Sequence, residues 1–218
     1  MNLLPIWLKL AYTAFMAVLF PVYWHYYGPT NFLYACDFAL ILTLIGIWAE
    51  SALLVSMCLV GIGAVQALWV VDYLGNLVGV HITGVTDYMF ESQHPLFLRG
   101  LSFFHGWLPF LLVFLVWKLG YDRRALAAWT GLAVTLLLIC FFFMPPPRPD
   151  PGLTPVNINY VWGLSDNSPQ HWVSPAVWLA GLMFGLPLLI YVPSHFLLTR
   201  IVPKTDREKM KQQTQKAG

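Results

Sequence analysis

Few groups in this chain can do chemistry, and most of them sit in apolar surroundings. Cys36 and Asp37 stand side by side in NFLYACDFALILTLIGIW, residues 31–48. His105 lies in LRGLSFFHGWLPF and Gln66 in GAVQALWVVDYLG. A thiol becomes a strong nucleophile when a neighbouring base draws off its proton, and histidine is the natural base near neutral pH. Cys36 and His105 therefore pair as nucleophile and base for acyl transfer. Sulfur attacks an acyl carbonyl, and the imidazole takes the thiol proton and returns it to the leaving alcohol. Gln66, Ser102 and Asn159 are polar donors suited to a developing oxyanion. Asp37 points about 100° away from Cys36 on a helix. Its expected roles are to bond a neighbouring helix, to orient His105 or to hold a substrate group.

These residues need a scaffold, and composition says what kind. The 218 residues are 58% hydrophobic and 10% charged, with mean hydropathy +0.65. Soluble domains carry about 25% charged residues. Such a chain cannot cover itself with polar surface, so an all-α polytopic membrane bundle is expected, with membrane lipid as its solvent. The net charge of +2 gives no footing for nucleic acid. The three cysteines, Cys36, Cys58 and Cys140, all lie in apolar runs and make no disulfide framework. A spanning helix needs about 20 apolar residues. Six segments qualify, at 5–24, 31–49, 52–72, 96–118, 124–144 and 174–198. Together they make one bundle over 1–199, followed by a basic tail over 200–218. The first run lacks a small-residue cleavage site and reads as a retained helix.

Charge orients the bundle. The tail and the 118–124 turn hold nine of the twelve Lys and Arg, and the 73–95 loop holds none. With six crossings both basic regions share a side with the N-terminus. The positive-inside rule makes that side cytoplasmic, as in a bacterial inner-membrane protein. Cys36, Asp37, Gln66 and His105 then fall in one layer, roughly 8–13 Å below the outer ends of three helices. Ser102 sits one turn above His105 on the same face, and Asp72 caps the layer. Ionisable groups at such depth face a bundle interior or a wet cavity. Glu50 is expected to be solvated at an inner turn, and Lys9 to snorkel.

Blander expectations stand beside this one. A cysteine in an apolar helix is commonly just a small hydrophobe, and Asp37 and Gln66 can be interhelical glue. His105 could spend its ring on a carbonyl freed by Pro109. The same polar layer would then belong to a small transporter, channel or assembly factor. A third expectation is a metal-dependent hydrolase built on Asp72, His81, Asp87 and His94. No H-E-x-x-H or C-x-x-C spacing supports it, and no cofactor is called for.

The motifs also carry a family likeness. YYGPTNFLYACDFALILTLIGIWAE followed by HPLFLRGLSFFHGWLPFLLVFLVW resembles the androgen-induced-gene family of intramembrane hydrolases. In that family a threonine nucleophile and a histidine, on different helices, cleave fatty-acid esters. The resemblance places Cys36 at the nucleophile position and His105 at the histidine. The chain is also similar to a related transmembrane acyltransferase of ether phospholipids, in which a cysteine takes the helix-two position. Gly63 to Leu68 with Asp72, and the Asn159–Tyr160 pair, match its other motifs. The whole chain looks like a bacterial group of polytopic membrane-associated proteins. The likeness implies a lipid ester as substrate and acyl transfer, to water or to a second lipid, as the reaction.

Overall fold

Glycine and proline set the helix boundaries. The computed structural model describes residues 3–91 and 95–202, which leaves out His94 and the basic tail from residue 203. Its first helix, α1 (Ile6–Tyr26), stops at Gly28, whose φ of +83° suits only glycine. Pro29 then starts a 3₁₀ turn over Pro29–Leu33. After it come α2 (Ala35–Ala49), α3 (Ala52–Leu77), α4 (Leu96–Ser102), α5 (Phe104–Leu119), α6 (Ala125–Phe143), α7 (Pro175–Leu186) and α8 (Val192–Ile201). No strand occurs among the described residues. α1, α3, α4–α5, α6 and α7–α8 are five units long and apolar enough to cross a membrane, and α2 is a shorter apolar helix. Large apolar side chains such as Trp7, Phe110, Phe143, Phe184 and Leu188 face outward. On a chain of this kind they are the lipid-facing surface of a multi-pass integral membrane protein.

Four helices differ from the sequence expectation, α3 among them, which runs past residue 72 to Leu77. α2 begins at Ala35 rather than at 31, because the Pro29 turn and the extended Tyr34 (ψ 133°) occupy the preceding residues. Its 15 residues span about 22 Å, roughly 8 Å less than a hydrocarbon layer. The 96–118 segment breaks at Phe103 into α4 and α5. The 174–198 segment carries a π-helical stretch, Pro187–Tyr191, between α7 and α8. Pro187 and Pro193 lack N–H groups and leave carbonyls one turn back without helical partners, which favours the wider turn.

α3 is the centre. It packs against α2, α5 and α6, and 56% of its most apolar window is buried, against 11% for α7–α8. Gly61 of α3 lets the fully buried Trp129 of α6 lie against its backbone.

The basic end is tied by one ion pair. Lys9 Nζ bonds Glu50 Oε1 at 2.9 Å, and the Leu3 and Leu4 amides donate to the same carboxylate. Glu50 is therefore paired and only partly exposed, and Lys9, 5% exposed, does not snorkel. The polar pair closes the α2–α3 turn over the start of α1. Burial alone would raise the Glu50 carboxyl, but the donors from Leu3, Lys9 and Leu4 outweigh it and bring it to about 2. A carboxyl lowered on folding stabilises above its ordinary value of 4.5, and that contribution is lost as pH falls toward 2. Thermal stability in detergent should therefore fall between pH 5 and 2, and Glu50→Gln should flatten that dependence. An unchanged slope in the variant would remove Glu50 as its source.

Candidate functional site

The opposite end holds the polar groups in four clusters. The first is built around His105. Pro109 removes the amide that would bond the His105 carbonyl, yet the ring turns to α3 and not to a freed carbonyl. His105 Nδ1 meets Gln66 Oε1 at 2.9 Å. An amide oxygen only accepts, so Nδ1 carries the proton and Nε2 keeps its lone pair. Trp69 stacks on the imidazole at 5.3 Å and fixes its plane. Gln66 itself is 2% exposed.

The second cluster centres on Ser102. Because the chain breaks at Phe103, Ser102 does not share a continuous helical face with His105. Its hydroxyl pairs with Tyr23 Oη of α1 at 2.7 Å, and Tyr88 from the Asp87–Met89 turn lies beside it.

The third cluster surrounds the start of α2. Cys36 is the second residue of that helix, half-buried rather than five or six residues along it. The Cys36 and Asp37 amides belong to the first turn, whose N–H groups have no helical carbonyl to bond. Asp37 Oδ2 accepts from Asn31 Nδ2 at 3.0 Å, while Oδ1 is buried without a partner. Asn159 clamps the tip: its Oδ1 accepts from the Ala35 amide at 2.9 Å, and its Nδ2 donates to the Leu33 carbonyl at 2.8 Å and approaches Cys140 Sγ at 3.3 Å. Both ends of that amide are engaged, so Asn159 positions α2 and does not serve as a free oxyanion donor. Asn157 and Asn159 adopt φ of 50° and 59°, a left-handed geometry asparagine tolerates well. Tyr34, Tyr88 and Tyr160 each lie within electrostatic reach of Cys36. All three phenols are raised above their ordinary range, chiefly by burial, and stay protonated donors at neutral pH.

The fourth cluster is a loop anchor. α3 runs to Leu77, so Asp72 lies inside it and is fully buried. Its Oδ1 accepts from the Thr83 and Gly84 amides, and its Oδ2 from the Thr86 amide and hydroxyl at 3.0 and 2.7 Å. That carboxylate is occupied by its own loop. His81 and Asp87 face each other at 3.6 Å on the surface, and Asn76 bridges Asp87 to Thr86. No group of three His, Cys, Asp or Glu able to hold a metal occurs among the described residues, and His94 lies outside them.

The fold thus joins Gln66 to His105 and brings Asn159 to the start of α2. No hydrogen bond links Cys36 to His105. Tyr88 has neighbours in both regions: Cys36 on one side, and Ser102 and Trp69 on the other. Tyr23, Asn31, Tyr34, Trp69 and Tyr88 are site neighbours that sequence reasoning passed over. As isolated polar or aromatic residues near helix ends they look like the interfacial aromatic belt. Comparison with protein-family models, curated proteins and solved structures finds no match.

Proposed function

We propose that this protein is an intramembrane acyl-transfer enzyme acting on a lipid ester, with Cys36 as nucleophile and His105 as base. Cys36 Sγ attacks the acyl carbonyl carbon and its proton passes to His105 Nε2. The ester C–O bond breaks, a thioester forms on Cys36, and the proton leaves with the alcohol. Water or a second lipid alcohol then takes the acyl group and frees the thiol. The observation that carries this reading is the place of Cys36 in the first turn of α2, whose amides have no helical carbonyl to bond. Such amides stabilise an oxyanion once an acyl group is bound. The Tyr160 phenol, within electrostatic reach of Cys36, is a further donor for it. A bound ester would lie between Cys36 and His105, and catalytic hydrogen bonds commonly close only in such a complex.

The mutual satisfaction of Tyr23, Ser102, Asn159 and Asp72 favours a second reading, a non-enzymatic bundle with a polar packing layer. Acyl trapping separates the two. Purified protein is incubated with alkyne-tagged phospholipid and examined for hydroxylamine-sensitive label. Label on Cys36 supports the enzyme, and none under any lipid supports the packing layer.

Gln66 gives a graded test. Gln66→Leu removes the acceptor that holds the His105 tautomer, and labelling should slow about tenfold without vanishing, in line with the loss of an orienting partner. Single-turnover labelling rates measure it. An unchanged rate would remove Gln66 from the machinery.

A further inference from the structure

The basic end carries a feature that acyl transfer does not use. An open groove of about 590 Å³ runs between α6 and α8. Arg123, His195 and the Thr130 hydroxyl supply its polar lining, and Leu126, Ala127, Pro187 and Val192 its apolar walls. The π-helical stretch Pro187–Tyr191 contributes Pro187 to that wall.

Charge says what fits. Asp122 adjoins Arg123 in sequence, and Arg124 claims it: Nη2 meets Oδ2 at 2.7 Å and Nε meets Oδ1 at 3.1 Å. Arg123 is exposed and makes no ion pair among the described residues. It lies within electrostatic reach of His195. Tyr121 Oη contacts His195 Nδ1 at 2.6 Å. When Tyr121 donates, the neutral ring carries its proton on Nε2 and presents a second donor beside the guanidinium. A guanidinium and an imidazole N–H above apolar walls suit one phosphate with an attached acyl chain.

We propose that this groove binds an anionic phospholipid of the leaflet at the basic end, its phosphate on Arg123 and His195 and one acyl chain along Leu126, Ala127, Pro187 and Val192. A zwitterionic lipid fits less well, because Asp122 is spent on Arg124 and no carboxylate lines the groove among the described residues to face a choline or ethanolamine. A soluble phosphate would leave the apolar walls unused. Leu188, Leu189 and Phe196, exposed on the same elements, place the groove on the lipid-facing flank of the bundle.

Native mass spectrometry of the full chain tests it, with phosphatidylglycerol and phosphatidylcholine titrated against the detergent-purified protein. Parent protein should retain phosphatidylglycerol about fivefold better, as one membrane-proximal cation of about 1 kcal/mol implies. Arg123→Gln should erase the preference. Ala127→Phe, which fills the groove without changing charge, should lower retention of both lipids. Lys118→Gln removes an exposed cation of the same end outside the groove and should keep the preference. Equal retention of the two lipids by the parent overturns the proposal. So does a Lys118→Gln loss as large as that of Arg123→Gln, which would mean diffuse surface charge. Parent dimers that seal the groove and retain neither lipid overturn it as well.

Discussion

Cys36→Ala is expected to abolish hydroxylamine-sensitive acyl labelling, a fall of at least about 10³-fold, since no other thiol can replace the nucleophile. Cys58 is buried and bonds the Ala39 carbonyl, and Cys140 is buried behind Asn159. Cys58→Ala and Cys140→Ala should therefore label like the parent. The change at Cys36 removes one sulfur atom from a half-buried position and leaves the Asn159 clamp intact, so the variant should fold. His105→Ala should slow labelling by about 10²-fold or more while still reaching the thioester, the usual size of a lost general base. The measurement is label per protein over time, with the site mapped by peptide mass. A Cys36→Ala protein that labels as fast as the parent would end the nucleophile assignment. A parent that never labels would leave the cluster as packing.

The second large effect is on stability. An added Cβ at Gly61 would overlap the Trp129 indole at Cε2 and Nε1. Trp129 is fully buried and cannot swing away. Gly61→Ala should therefore pry α3 from α6 and destabilise the bundle by about 3 kcal/mol, the upper range for overpacking a core. Gly131 of α6 meets nothing within 4 Å, so Gly131→Ala is the matched control and should change little. Reversible unfolding in mixed micelles compares them. Equal stability of the two variants would mean that α3 and α6 do not pack face to face at this point. Because α3 is the common partner of α2, α5 and α6, the Gly61 change should also reach the Gln66–His105 contact one and a half turns away.

The class of protein was legible from composition, since so apolar a chain has lipid as its only suitable solvent. Five of the six expected spans are long enough to cross, and the sixth is a short helix. The misjudged boundaries share a cause. At 31–34 the residues are apolar enough for helix, but Gly28, Pro29 and the Asn159 clamp hold them in a turn. At Phe103 nothing local announces a break. Hydropathy counts solvent preference and is blind to which backbone amide a distant side chain will capture.

Residue types alone suffice for a helical multi-pass bundle, for the polar residues within it and for the end that carries the cations. These follow from transfer free energies that add residue by residue along a helix. The partners come from packing: Gln66 for His105, Tyr23 for Ser102, Glu50 for Lys9, and the loop amides of residues 83–86 for Asp72. Packing also puts Cys36 at the start of a short helix rather than along the side of a long one. Those choices depend on contacts between residues as many as 126 positions apart, as between Asn159 and Leu33. A buried polar atom must find some partner, but which one it finds is set by how the helices pack.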